Sequence, residues 1–153
     1  MSVISYQTTH LQTASPLSLE IMAFQKVTNA LEHSHAEAQE DLSAAPVEAT
    51  QRQVRLCDAV YQNTRLWLTL LEDLNNPANR LAPDLKGRLA GLAATSVRHG
   101  RNVVTGKATL ALLVDINRAI MAGLTQARNL AAQSLAAQSV PVEREVRYAG
   151  GKA

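Results

Sequence analysis

The stretch PDLKGRLAGLAATSVRHGRNV, residues 83–103, decides the fold. Proline suits the first position of a helix, so Pro83 marks a helix start. After it, mostly apolar residues recur alternately four and three positions apart. They are Leu85, Leu89, Leu92, Ser96, His99 and Val103. This spacing is typical of a helix packed against antiparallel neighbours, so the stretch predicts one member of a helical bundle.

Two more helices are predicted before this stretch. Pro16 follows Ser15, a residue that can cap free N–H groups, and predicts a helix over about 16–42. Pro46 also suits a first helical position and predicts a second helix over about 47–74. Both segments carry apolar residues at helical spacing, as a bundle requires.

A fourth helix follows the stretch. Gly106 suits the residue after a helix C-terminus, and Gly100 is a candidate for a kink before it. Thr109 can cap the fourth helix, which extends toward Gln138. We therefore predict an all-α fold, a small bundle of about four helices with frayed termini. The predicted parts are an irregular arm over 1–14, one helical domain over 15–138 and a flexible tail over 139–153.

The composition agrees with helices and excludes several classes of protein. Aromatic residues make up only 3% of the chain, and alanine and leucine dominate. The single cysteine, Cys57, excludes an internal disulfide and a cysteine cluster for zinc. The N-terminus does not look like a signal peptide, and no run of about 18 apolar residues could span a membrane. We expect a cytoplasmic protein without membrane insertion.

No arrangement of residues indicates catalysis. His33 and His35 would point about 200° apart on a helix, so they cannot share one metal ion. The glycines stand singly and form no phosphate-binding loop. Adjacent acids at Glu72 and Asp73 are better explained as a solvated helix end than as a general acid–base pair. We expect no enzymatic activity, no metal and no cofactor.

The charges are unevenly distributed. Acidic residues prevail up to Asn79, whereas basic residues prevail over 80–107. Within the basic segment Arg98 and Arg101 can face one way, as contacts with phosphates would need, and Arg88 lies on the same helix. No aromatic residue there could stack on bases. A solvated or internally neutralised face is the stronger interpretation, and RNA binding the alternative.

The segment Asp115-Ile116-Asn117-Arg118 interrupts an apolar part of the fourth helix. Asp115 and Arg118 are three residues apart and can pair on the surface. Asn117 lies near the apolar stripe, where an amide must find hydrogen-bond partners. A contact that specifies the position of a neighbouring helix or loop is the favoured interpretation, and a functional role the alternative.

Three blocks of sequence carry a family resemblance. The first begins at Gln12-Thr-Ala-Ser-Pro and ends with VTNAL, residues 27–31. The second begins with NTRLW, residues 63–67, and continues to Leu81. The third is DINRAIMAGL, residues 115–124. In this order and spacing they resemble the FlaF family of flagellar biosynthesis regulators, over roughly residues 5–125.

The resemblance implies a bacterial cytoplasmic protein needed for flagellin production and secretion. Flagellin is the implied partner, bound in a chaperone-like role. A second regulator, FlbT, which restrains flagellin synthesis, is an implied further partner. The resemblance carries no cofactor and no catalytic residue with it.

An apolar groove on the bundle could receive a helical segment of such a partner. The end of the second helix is apolar around most of its circumference, which indicates either the centre of a core or a surface reserved for a partner. The candidate groove residues are Leu66, Trp67, Leu70, Ile120, Met121 and Leu124, with Asn117 beside them. Trp67 is either the anchor of this groove or the largest residue of the core.

Overall fold

The computed structural model describes residues 16–40, 43 and 45–138. It contains four helices, and no strand occurs within these ranges. They are α1 (Pro16–Gln39), α2 (Pro46–Asn75), α3 (Pro83–Val104) and α4 (Ala111–Gln138). The predicted all-α fold is confirmed. The predicted arm over 1–14, the tail over 139–153 and the capping residue Ser15 lie outside the described residues.

The helices begin and end close to the predicted positions because the signals are local. A proline opens each of α1, α2 and α3, where its missing N–H costs nothing. Helix α3 ends in a Schellman motif: the N–H of Gly106 donates to Val103 O at 3.0 Å, and that of Lys107 to Asn102 O at 2.8 Å. Gly106 has φ +76°, a conformation that favours glycine, so its predicted role is confirmed.

Gly100 has a different role from the predicted kink. Helix α3 is continuous across it, and Gly100 is buried against α2. A Cβ atom at this position would lie 3.0 Å from Cγ1 of Val60. The missing side chain therefore lets α2 and α3 approach closely.

The four helices run alternately up and down around one core. Helix α1 packs against α2 and α4, and α3 also packs against α2 and α4, so the order around the bundle follows the chain. Contacts between the start of one helix and the end of its neighbour, such as Arg55 with Glu37, show that neighbours are antiparallel. Short connections between consecutive helices make this the expected topology.

The hydrophobic core has two parts. The first, which we call the closed half, lies at the end of the bundle that holds the α1–α2 and α3–α4 connections. Most of its side chains are buried, and Val27, Leu56 and Ala108 are partly buried. Its buried members are Leu31, Ala59, Val60, Val103, Leu110, Leu113 and Val114.

The second part, which we call the open half, lies toward the start of α1 and the end of α2. Its buried cluster consists of Phe24, Trp67, Ala93 and Ile116, and Leu74 near the end of α2 is also buried. More residues surround them in a partly exposed position than are buried. These residues form what we call the apolar rim: Leu66, Leu70, Leu71, Ile120, Met121 and Leu124.

Ion pairs join α1 to α2 beside the closed half. Arg55 donates to the carboxylate of Glu37 at 2.6 Å, and this hydrogen bond holds the pKa of Glu37 below its ordinary value. Arg52 Nη2 lies 2.9 Å from both Glu40 and Glu48. Its Nη1 donates to the backbone oxygen of Glu37, in the last turn of α1, where a positive charge is favourable.

Arg118 does not pair with Asp115 as the local spacing suggested. Instead its guanidinium donates to Glu32 Oε1 at 2.6 and 2.9 Å, which joins α4 to α1. A neighbouring helix offers Arg118 a carboxylate in better geometry than the next turn of its own helix does. Acidic residues of the N-terminal half of the sequence thus neutralise arginines on α2 and α4.

Candidate partner-binding site

A chain of buried hydrogen bonds separates the closed half from the open half. Trp67 Nε1 donates to Asn117 Oδ1 at 3.0 Å, Asn117 Nδ2 donates to Asn63 Oδ1 at 2.8 Å, and Asn63 Nδ2 donates to Ser96 Oγ at 3.0 Å. All four residues have no exposed surface. We call Asn63, Ser96 and Asn117 the polar layer, and it joins α2, α3 and α4.

The tryptophan fixes the direction of this chain. An indole can only donate, so Asn117 must turn its oxygen toward Trp67 and its nitrogen toward Asn63. Asn63 must then present its oxygen to Asn117 and its nitrogen to Ser96. On α1 the equally buried Thr28 lies between Phe24 and Leu31, and its hydroxyl has no hydrogen-bond partner among the described residues.

Asn117 meets the expectation that a polar residue near the stripe must find partners. Its amide uses both its oxygen and its nitrogen, and both partners lie on α2. Sequence reasoning did not identify Asn63 as a partner of Asn117, nor Ser96 as the next member of the chain. The signal was present, because both interrupt the apolar spacing of their helices at positions that face the bundle.

Trp67 lies in the core rather than on the surface. Its ring is wholly buried and meets Phe24 edge to face, with 5.4 Å between ring centroids and an angle of 76°. The structure therefore corresponds to the second of the two interpretations of this residue. Neither Trp67 nor Asn117 can touch a partner in this closed form, because neither reaches the surface.

The other five candidate residues do reach the surface. Leu66 and Leu70 on α2, and Ile120, Met121 and Leu124 on α4, are partly exposed and pack against the buried part of the open half. The structure brings the two groups together at one end of the bundle, although about 50 residues separate them in the sequence. Leu71 joins them and was not among the predicted residues.

Two carboxylates lie at the same end of the bundle. Burial raises the pKa of Glu20 above its ordinary value, and the negative charge of Asp73 raises it further. Asp73 accepts a hydrogen bond from Asn79 Nδ2 at 3.1 Å. No lysine or arginine of the described ranges forms an ion pair with Glu20 or Asp73. Glu20 and Asp73 therefore lie close enough for their charges to interact at the end of the bundle that carries the apolar rim.

Comparison with known proteins decides the family. A family model described as flagellar protein FlaF matches residues 2–124. The chain belongs to the FlaF family. A search of curated proteins found no match, and a search of solved structures found none either.

The FlaF match includes every residue of the polar layer and the apolar rim. It ends at Leu124, the last rim residue, whereas α4 continues to Gln138. Beyond the match, Leu130 and Leu135 are 56% and 67% exposed. The part of the chain shared with the family thus contains both parts of the core, and the last turns of α4 lie beyond it in the sequence.

The basic face of this FlaF protein is separate from the rim. Arg88, Arg98 and Arg101 are exposed on α3, and none forms an ion pair with a residue in the part of the chain that the structure describes. Internal neutralisation, one of the expected explanations of this segment, is therefore not observed. All three arginines are solvated, with Arg98 and Arg101 one turn apart and Arg88 nearly three turns before Arg98.

Among the described residues, no group of three or more histidine, cysteine, aspartate or glutamate side chains is placed to hold a metal ion. No described helix has the length and apolar character needed to cross a membrane.

Proposed function

We propose that this protein binds flagellin in the cytoplasm through the apolar rim, and so acts as a secretion chaperone and as a regulator of flagellin synthesis. Family membership supports a role connected with the flagellum. The observation that supports the binding role is the unequal core: one half is closed, and the other ends in six partly exposed apolar residues.

The chemistry of unassembled flagellin fits such a rim. Flagellin is the client that membership of the FlaF family implies. Its terminal segments become amphipathic helices only when they pack in the filament, and free apolar segments aggregate. The rim offers one apolar face on which such a segment could fold as an additional helix. Release at the export apparatus requires moderate affinity, so we expect a Kd of about 1 μM or somewhat lower, near −8 to −9 kcal/mol.

The buried part of the open half would give the rim a fixed shape. Trp67 is held by its hydrogen bond to Asn117 and by its contact with Phe24, so the side chains above it rest on a rigid base. A prearranged surface loses less conformational entropy when a partner binds. In this proposal Trp67 and Asn117 act as positioning residues, while Leu66, Leu70, Ile120, Met121 and Leu124 make the contacts.

Co-purification with the cell's flagellin tests the proposal. Leu66→Glu and Met121→Glu place charges on the rim, and each should reduce flagellin binding by tenfold or more while the helical circular dichroism remains. The matched control is Leu112→Glu on α4, because Leu112 is 40% exposed and belongs to neither part of the core. The milder Leu66→Ser and Met121→Gln serve if a glutamate unfolds the protein. Undiminished binding by all folded rim variants would refute the proposed site.

Regulation of synthesis would follow from the same binding event. If bound flagellin occupies the rim, the protein can report how much flagellin awaits export, and FlbT could sense the free or the occupied form. Pull-down of FlbT with and without flagellin measures this. Equal recovery of FlbT from both forms would remove the link between binding and regulation.

A second candidate function is direct binding of flagellin message by the basic face. Its support is that Arg88, Arg98 and Arg101 are exposed and make no ion pair with described residues. Binding through phosphates must weaken steeply as salt rises. RNA binding that disappears in the Arg98→Gln/Arg101→Gln variant, while flagellin binding persists, would favour this function.

A further inference from the structure

Helix α2 carries a second apolar surface that the bundle does not use. Four large hydrophobic side chains of α2 are exposed, and each stands seven residues from the next: Val47, Val54, Tyr61 and Leu68, with exposed fractions of 70%, 62%, 57% and 45%. Scattered exposed hydrophobic residues are normal on a monomer. Four on one line along a single helix form a continuous apolar stripe, which we call the seam.

The positions between these four extend the seam on its side toward the bundle, where Thr50 is exposed and the other three residues are half-buried. Three residues after each of them stand Thr50, Cys57, Thr64 and Leu71. The eight residues therefore follow the a and d spacing of a coiled coil over about 36 Å of helix. Asn63 and Trp67, which face the core, lie on a different side of α2.

We propose that the seam is the interface between two copies of this protein, paired through antiparallel α2 helices. The exposed line Val47, Val54, Tyr61 and Leu68 contains no residue of the apolar rim, whereas Leu71, at the end of the seam, belongs to both surfaces. Changes at Val54 and Tyr61 therefore test the seam without altering the rim. The occupant is a second copy rather than another protein because the charges beside the seam match themselves when the helix is reversed.

The charges also select one register. Asp58 and Arg65 flank the seam on its solvent side, seven residues apart, and neither forms an ion pair within the described ranges. Arg65 lies over the ring of Tyr61, 5.9 Å from its centroid. In the register that sets Cys57 opposite Leu68 of the second copy, Asp58 faces Arg65 of the second copy on both sides of the axis. A slip of one heptad instead brings the two Asp58 carboxylates together, which is unfavourable.

The size of the interface predicts a weak dimer. In the favoured register the helices overlap from about Val54 to Leu71, a contact of about 27 Å between two single helices. A contact of this length between two single helices buries less surface than the roughly 1,600 Å² buried in a typical stable complex. We expect reversible dimerisation with a Kd of roughly tens of micromolar, rather than a permanent dimer.

Sedimentation of the full chain between about 5 and 500 μM tests the proposal. The average mass should rise with concentration from the 16.5 kDa of one chain toward twice that value. Val54→Glu/Tyr61→Glu should hold it at one chain. The control Leu130→Glu/Leu135→Glu changes two equally exposed residues on α4 and should leave dimerisation intact. All four positions are exposed, so the fold should persist in both variants, as circular dichroism can verify.

Two measurements test the register. Asp58→Arg should raise the dimer Kd about tenfold, and adding Arg65→Asp should restore it. Oxidation of the Leu68→Cys variant should link two chains through Cys57, because within one helix these positions lie about 16 Å apart.

Three outcomes would overturn the proposal. The first is a mass of one chain throughout the concentration range. The second is a dimer that Val54→Glu/Tyr61→Glu leaves unchanged. The third is a monomer in which the same variant abolishes binding of FlbT or flagellin, because the seam would then belong to that partner.

Discussion

The two halves of the core are built from the same four helices but differ in how completely they are closed. The closed half buries most of its leucines and valines and is reinforced by the arginine–glutamate contacts between α1 and α2. The open half has fewer buried residues, a larger partly exposed rim and two carboxylates without a basic partner among the described residues.

This difference separates stability from binding. Buried apolar area is the main source of stability, and the closed half has more of it per residue. An incompletely buried rim contributes less to the fold but remains available to another chain. The polar layer lies between the halves and fixes how α2, α3 and α4 are placed, so changes in one half need not disturb the other.

The largest expected effect comes from removing a closed-half side chain. Leu113→Ala should lower the free energy of unfolding by about 3–5 kcal/mol, because Leu113 is wholly buried and its loss leaves a cavity. Leu124→Ala, the same change on α4 in the rim, should cost only about 1–2 kcal/mol. Urea denaturation measures both. Equal losses would show that the halves contribute alike.

The polar layer should give the next effect. Asn117→Ala removes the acceptor of the Trp67 indole and the donor to Asn63, so we expect a loss of roughly 2–4 kcal/mol. The exposed Asn129 on the same helix provides the control, and Asn129→Ala should change stability by less than about 0.5 kcal/mol. A neutral Asn117→Ala would mean that the layer does not hold the halves together.

Two glycines of α3 should respond in opposite directions. Gly100→Ala places a methyl group 3.0 Å from the stiff, buried Val60 side chain, so it should destabilise the fold by about 1–2 kcal/mol. Gly87→Ala meets no atom within 4 Å and should stabilise it by about 0.5–1 kcal/mol through helix propensity. Thermal unfolding of the two variants distinguishes close packing from propensity, and a stabilising Gly100→Ala would contradict the close approach of α2 and α3.

The smallest effects concern pH, and the two ends should differ in sign. The raised pKa of Glu20 means that the folded state binds this proton more tightly than the unfolded chain does. Its ionised form therefore disfavours folding above the raised pKa, and the penalty disappears as pH falls through it. The lowered pKa of Glu37 favours folding above about pH 4.5, and this contribution is lost as pH falls further.

Substitution with glutamine separates the two carboxylates. Glu20→Gln should stabilise the fold at pH 7 by less than about 1 kcal/mol and should lose this advantage in acid. Glu37→Gln should destabilise it at pH 7 and have little effect in acid. The measurement is the unfolding midpoint of each variant between about pH 3.5 and 7. Parallel curves for the two variants would contradict opposite roles.

Much of the fold could be read from the sequence because its signals are short. A proline acts on the residue where it stands, and Gly106 acts on the carbonyl groups of the preceding turn, so both positions could be recognised within a few residues. The apolar spacing likewise identifies the face of each helix that turns inward. These features gave the helix number and approximate boundaries.

The candidate site was less predictable because its contacts join distant parts of the chain. At the end of α2 apolar residues occupy most of the circumference, so their spacing could not decide between a buried and an exposed Trp67. Arg118 reaches Glu32 across 86 residues, and Asn117 reaches Asn63 across 54, distances at which local rules carry no information. A polar residue within an apolar stripe indicates that it has a hydrogen-bond partner but does not identify that partner.

The position of Trp67 gives this protein a built-in optical probe. It is the only tryptophan of the chain, so selectively excited tryptophan emission comes from one buried indole whose N–H is held by Asn117. A ligand that settles on the rim alone should leave the emission blue and merely alter its intensity. A shift to the red would mean instead that water has reached the indole and that the bundle has parted along its polar layer.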